Sequence, residues 1–325
     1  MIIQASMGPV ARPVSDAAHD DAVVPFAVEP LDVRGSVVRL GATIDHILAK
    51  HNYPTPVARL VGEACALAVL LATSLKTEGR FQLQTRGDGP IGMLVVDFDA
   101  PDRLRALARF DAEKLGARLR PGDLLGTGHL AVTVEQSDGS SRYQGIVALQ
   151  GQGLEAAARQ YFDQSAQIPT RVRLAVAENV TGAGAVWRAG GVMTQFLPRS
   201  AQRRFRADLD PGDAPGGHKA ATPLVDDAWI EAEALLATIE DHELVDPALS
   251  SERLLYRLFH EQGVTVFPAQ GVLDACRCSN ERIEAMLHRF TPLERRDMTG
   301  DDGLIGVTCE FCSTHRVFDP ADFDL

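Results

Sequence analysis

The sequence predicts an α+β fold with three parts. These are an antiparallel-sheet core with packed helices, a helical linker and a small C-terminal metal-binding domain. Three observations predict it. Hairpin patterns alternate with helical ones without regular βαβ spacing. A stretch rich in Gly, Pro, Asp and Ala, residues 206–223, is followed by two amphipathic helical patterns. Four of the five cysteines fall after residue 275, as Cys276-Arg277-Cys278 and Cys309-Glu310-Phe311-Cys312.

The elements follow in order. Residues 1–27 are small and polar and read as a disordered tail. The core is expected over 28–201, opening with a strand from Val33 to Arg39 and a helix from Thr43 to His51. Thr55 is the expected N-cap of a strong helix with Pro56 in its first turn. Leu60, Ala64, Leu67, Leu71 and Leu75 recur on it at steps of three and four. Cys65 lies among them and reads as a small buried hydrophobe.

Phe81, Leu83 and Thr85 alternate with polar residues, Gly87-Asp88-Gly89-Pro90 is turn chemistry, and Ile91–Phe98 returns. A second hairpin runs from Gly128 to Val147 through Ser137-Asp138-Gly139. A helix over 154–164 and strands over 170–176 and 192–197 complete the core. The linker is expected over 202–262. Its first helix carries Trp229, Leu235, Leu236 and Ile239; its second carries Leu254, Leu255, Leu258 and Phe259 and stops at Gly263. The metal-binding domain is expected over 263–325.

Composition excludes several classes. The formal net charge is −12, which opposes nucleic acid or an anionic membrane as partner. No basic start precedes an apolar stretch, and the longest apolar run, Ala64–Leu75, is too short to span a bilayer. A cytosolic location follows as the expectation, where paired cysteines more often bind metal or do redox work than staple a fold.

The thiols carry the chemistry. Two close pairs brought together by a fold make a tetrahedral four-sulfur site, and zinc is its natural occupant. The same thiols could instead close into two disulfides. His288 and His315 lie nearby and read as packing or surface residues. A thiol oxidoreductase needs a thiolate favoured by its surroundings, which Glu310 should oppose. A nucleic-acid-binding ribbon conflicts with the acidic excess after residue 275. Gly87-Asp88-Gly89 and Gly151-Gln152-Gly153 lack the context of a phosphate cradle, and there is no HExxH or GxSxG.

With these residues laid out, the chain resembles the redox-regulated heat-shock holdases known as the 33 kDa chaperonins. The matching stretches include Val61-Gly62-Glu63-Ala64, Gly87-Asp88-Gly89-Pro90, Tyr143-Gln144-Gly145-Ile146-Val147 and Gln167-Ile168-Pro169-Thr170. Leu255-Tyr256-Arg257-Leu258-Phe259-His260-Glu261, Cys276-Arg277-Cys278-Ser279 and Cys309-Glu310-Phe311-Cys312 follow. Ala166 and His315 depart from the pattern, and the loop around 206–223 is longer than usual.

The resemblance implies a chaperone that uses no ATP and is not an enzyme. Reduced protein would hold one zinc ion on Cys276, Cys278, Cys309 and Cys312 and be inactive. Oxidation would form the Cys276–Cys278 and Cys309–Cys312 disulfides and release zinc. The C-terminal domain and linker would then lose structure, homodimers would form, and unfolding client proteins would be held. Two other readings stand beside it: a constitutive protein-binding module with a structural zinc, and the oxidoreductase.

Overall fold

The structure is a computed structural model. It describes residues 20–116, 121–137, 141–165, 167–182, 184–198 and 226–323. The expectations for residues 1–19, Asp138–Gly139, Ala166 and the 206–223 loop lie outside them.

The chain opens with strands β1 (Ala22–Val28) and β2 (Val33–Leu40), then helices α1 (Ala42–Ala49) and α2 (Thr55–Ser74). Strands β3 (Arg80–Gly87), β4 (Ile91–Asp99) and β5 (Arg103–Phe110) follow, then a short helix α3 (Pro121–Leu125). Strands β6 (Thr127–Glu135) and β7 (Arg142–Gln150), helix α4 (Leu154–Ser165) and the long hairpin β8 (Thr170–Thr181) and β9 (Gly184–Phe196) complete the core. The linker helices are α5 (Asp227–Ala237), α6 (Asp241–Val245) and α7 (Ser251–Phe259). Three two-residue strands come next: β10 (Thr265–Val266), β11 (Gln270–Gly271) and β12 (Leu273–Asp274). The terminal module contains α8 (Asn280–Leu287), α9 (Pro292–Asp297), β13 (Ile305–Thr308) and β14 (His315–Phe318).

Two sheets sandwich one helix. The first has the order β10-β1-β2-β9-β8, with β11 also on β1; the second has the order β12-β5-β4-β3-β6-β7. Helix α2 contacts strands of both. Its residues Ala64 to Leu70 are fully buried, which accounts for a composition apolar all round. By length and hydropathy α2 could cross a bilayer, yet 78% of its most apolar window is buried inside the protein. Its N-cap is Pro54 rather than Thr55, and Thr55 and Pro56 both lie in the first turn. Proline fits there because first-turn N–H groups have no helical acceptor.

The outer face of the first sheet is covered by the linker. Phe26, Val28, Val33, Val37, Val192 and Phe196 on the sheet form one apolar cluster with Trp229, Leu236, Leu254, Leu255, Leu258 and Phe259. Phe26 stacks on Phe259 with centroids 5.8 Å apart, and Phe196 meets Trp229 at 6.0 Å. Burying a large apolar side chain is worth about 1.5–3 kcal/mol, so this seam is the linker's main hold on the core.

Two boundaries differ from expectation. Residues 22–27 are not tail but strand β1, paired with β2 over its whole length. Its run Ala-Val-Val-Pro-Phe-Ala-Val is apolar enough to bury both faces, and Pro25 is tolerated because it falls between the two short pairings made by residues 265–266 and 270–271. Residues 265–274 belong with the core, because β10 and β11 pair with β1 and β12 pairs with β5. The expected pair of linker helices is three, because a five-residue turn, α6, interposes.

Candidate metal centre

The four thiols arrive from two arms. Cys276 and Cys278 leave β12 in extended chain and end at Ser279, which caps α8 by accepting from Arg282 N. Cys309 and Cys312 sit in the turn between β13 and β14, whose register runs from Ile305–Phe318 to Thr308–His315. That turn is tightened by Ser313 N donating to Cys309 O and Cys309 N donating to Thr314 O. Ser313 itself adopts a left-handed φ of 53°.

The four sulfur atoms all lie within 4.8 Å of one another. Cys276 Sγ is 3.7 Å from Cys309 Sγ, and Cys278 Sγ is 3.3 Å from Cys312 Sγ. With metal–sulfur bonds of about 2.3 Å, a tetrahedron has edges near ~3.8 Å, so the cage has the size zinc requires. The donor set is all sulfur, the choice of a closed structural site.

The electrostatics differ from the sequence expectation in one respect. Glu310 does not face the thiols; its carboxylate pairs with Arg109 on β5. Cations face the sulfurs instead. Arg316 Nη1 is 3.4 Å from Cys278 Sγ, and Arg105 Nη1 is 3.7 Å from Cys276 Sγ. Burial pushes the Cys278 thiol up to about 12, reinforced by its bond with Cys312. At Cys312 burial acts in the same sense, but hydrogen bonds with Thr314, Cys278 and Cys309 outweigh it and bring the thiol down to about 6. A thiol shifted toward the thiolate is a suitable first ligand for a metal.

The neighbouring histidines are elsewhere. His315 Nδ1 lies 2.9 Å from Thr308 Oγ1, and the His288 ring meets Phe323 edge-on at 5.0 Å. Cys65 is fully buried on α2, and burial raises its thiol far above the ordinary value.

The cage is docked on the outer face of the second sheet. Asp97 on β4 is the centre of the contact, its side chain 1% exposed. It accepts from Gln82 Nε2 at 2.8 Å, Arg80 Nη2 at 3.2 Å, Arg105 Nε at 2.9 Å and Arg277 Nη2 at 3.1 Å. Burial alone would raise its pKa; the bonds from Gln82 and Arg105 and the charges of Arg105 and Arg80 prevail and lower it. Arg105 also lies over the Phe311 ring at 3.9 Å. His51 Nε2 lies 3.1 Å from Phe311 O, Ser313 Oγ donates to Lys50 O at 2.8 Å, and Lys50 pairs with Asp274. Sequence reasoning missed these docking residues. A visible signal was Asp97 itself, a lone acid within the apolar run Met93–Phe98.

A second polar anchor lies under the linker. Arg39 on β2 is 1% exposed and donates to the carbonyls of Glu243, Leu244 and Asp246 at 2.6–3.3 Å. Burial, then the Arg188 charge, lowers its pKa to about 10, so it stays charged at neutral pH. Arg188 on β9 donates to Val245 O at 2.7 Å and pairs with Asp20. Cations at the C-terminal end of α6 satisfy carbonyls that the helix cannot. Gly190 allows this approach, since a Cβ there would stand 2.1 Å from Leu244 O.

The family model described as Hsp33 protein matches residues 21–319. The chain belongs to the Hsp33 family. It is 45% identical over 307 residues to the 33 kDa chaperonin of Caulobacter vibrioides, covering 93% of this chain and 95% of that one. With the 33 kDa chaperonin of Pseudomonas aeruginosa the identity is 36% over 306 residues, covering 94% of each. The crystal structure of the Thermotoga maritima 33 kDa chaperonin superposes with a TM-score of 0.72 at 19% identity, over 94% of this chain and 97% of that one, which shows a shared fold. The relatives' names support a chaperone role for this Hsp33 family member, in line with the resemblance read from the sequence.

Proposed function

We propose that this chaperone is a redox-activated holdase for unfolding proteins, needing no ATP and working in the reducing cytosol. Cys276, Cys278, Cys309 and Cys312 would hold one zinc ion in the reduced, closed protein. Bound there, the ion supplies the cross-link between the two arms. On oxidation, Cys276 would join Cys278 and Cys309 would join Cys312. Each pair of thiolates gives two electrons to one peroxide, which takes two protons from solvent and leaves as two waters. With its sulfurs spent, the cage no longer holds metal.

The observation that carries this reading is how small an apolar core the terminal module has. Its apolar cluster comprises Ile283, Leu287, Ile305, Phe318 and Phe323, with Val307 beside it. A core of that size does not fold a module unaided, whereas structural zinc contributes about 10–16 kcal/mol. Losing the metal should melt the module and release the docking centred on Asp97. Helices α5 to α7 are too short to persist alone. Their departure would bare the seam around Phe26, Val192 and Phe196, an apolar patch of the kind that binds unfolded chains or a second copy. The acidic net charge would keep such complexes soluble and disfavour nucleic acid and membranes.

The test is to treat reduced, zinc-loaded protein with peroxide at mild heat while measuring zinc release and suppression of client aggregation. Both should rise together. Retained zinc with unchanged activity would overturn the switch and leave a constitutive module. The cations facing Cys276 and Cys278 favour one rival, a thiol oxidoreductase. Catalytic turnover of a small disulfide substrate in the same assay would support it.

A further inference from the structure

The segment between the linker and the first thiol is bound as a strap along the margin of the first sheet. Residues 265–271 pair antiparallel with β1, Ala27 opposite Thr265 and Val23 opposite Gln270. Phe267 N donates to Pro25 O at 2.9 Å, and Val272 N donates to Asp21 O at 2.7 Å. Odd-numbered residues of β1 therefore turn their backbone groups to the strap, and even-numbered ones turn them to β2. One residue on, the same segment reaches the start of β5, where Leu273 N donates to Asp102 O and Ala275 N donates to Leu104 O. Cys276 is the next residue.

The strap is held more by backbone than by side chains. Val266, Phe267 and Leu273 are 36%, 46% and 56% exposed, and Val272 alone among its apolar residues is fully buried. Phe267-Pro268-Ala269 leaves regular pairing opposite Pro25, the one strap-facing position of β1 without an N–H. Two-residue strands are marginal alone, and this pair is tethered at its downstream end by the thiol arm.

We propose that the outer edge of β1 is a strand-addition site for extended segments of unfolding polypeptides, vacated when the strap peels away. This rests on the switch reading above. The strap is an internal example of the ligand: an extended chain with apolar residues, recognised through main-chain bonds. Backbone recognition is indifferent to side-chain identity, which suits a binder of many unfolded chains. An edge strand left open is otherwise a hazard, and Pro25 limits indiscriminate pairing there.

Amide hydrogen exchange in the full chain tests this. In the reduced zinc-loaded protein the Val23 and Ala27 amides should be protected. After peroxide activation they should exchange about 100-fold faster, and saturating unfolded client should restore most of the protection. A decapeptide of alternating Val and Thr should compete with client, and its analogue N-methylated on alternate residues should compete at least about tenfold less well. Holdase activity with Val23 and Ala27 still protected, or unaffected by client, overturns the edge site and leaves the switch standing. Equal competition by both peptides does the same. Protection that returns with protein concentration and no client assigns the edge to a second copy, also overturning it. If oxidant neither releases zinc nor induces activity, the switch reading fails and the edge site falls with it.

Discussion

Arg277, the residue between Cys276 and Cys278, donates to Asp97 on the core sheet over 3.1 Å and pairs with Asp99 at 3.0 Å. The thiol arm is thus fastened to β4 by its own central side chain, and a rearrangement of the sulfurs pulls directly on a buried charge cluster.

Replacing Asp97 with Asn should loosen that docking. It leaves Arg80, Arg105 and Arg277 without their common anion, at a cost of about 3 kcal/mol. The folded-state pKa of Asp97 is depressed, so its contribution is complete above the unfolded carboxylate value and is lost as pH falls through the folded one. Denaturant titrations of wild type and D97N should differ constantly at neutral pH and converge in acid below about pH 4. A gap unchanged down to pH 2 would count against the charge cluster.

Gly190→Ala should unseat the linker without touching a thiol. The added methyl meets Leu244 O, and an overpacked contact costs about 1–3 kcal/mol. Reduced, zinc-loaded G190A should suppress client aggregation without oxidant, and its α5–α7 region should be cleaved faster by protease. If cleavage accelerates and no activity appears, the seam under the linker is not where clients bind.

Cys309→Ser should weaken zinc binding by roughly 100-fold or more and render the region after residue 275 sensitive to protease under reducing conditions. Residues 22–196 should resist. Chelation of the wild-type protein should give the same pattern, and an intact terminal module in either experiment would contradict a metal-dependent fold.

Glu63 provides a pH dependence far from the thiols. It lines a cavity of about 350 Å³ between α2, β8 and α6, with Arg59 and Asp241. Burial, then the charges of Glu155 and Asp241, raises its pKa from 4.5 to about 7. A raised carboxyl pKa stabilises the fold below the unfolded value, and that stability is lost as pH rises from about 4.5 to about 7. E63Q should therefore match wild type at pH 4 and exceed it by up to about 3 kcal/mol at pH 8. Equal stability at both pH values would show that the Glu63 carboxyl titrates alike in the folded and unfolded chain.

Cys65→Ala should cost about 1 kcal/mol and leave zinc release and activation unchanged, because the thiol is sealed inside α2. Loss of activation in C65A would mean that a fifth thiol takes part.

Much of this was legible in the sequence because it was local. The step of three and four along α2, the alternation in β3 and β6 and the thiol spacings are short-range patterns. What escaped is contact between distant segments. Strands β10 to β12 have two residues each and therefore no period to read. Pro25 disguised β1 as irregular chain. Arg39 reads as an ordinary strand arginine until α6 is placed over it. Asp97 takes its partners from β3, β5 and the thiol arm, so its role exists only once the sheet and module are assembled. In the sequence Glu310 carries only its charge; its direction, toward Arg109, depends on docking.

The pairing of β1 with residues 265–271 also bears on how the molecule is made. Val28 leaves the ribosome about 240 residues before Gln270. At about 5–20 residues per second, the first sheet margin waits roughly 12–50 seconds for its cover. The thiols that follow this cover are translated later still. Every newly synthesised copy thus passes through an uncovered form, and on the proposed reading metal supply at the end of translation would set how long that interval lasts.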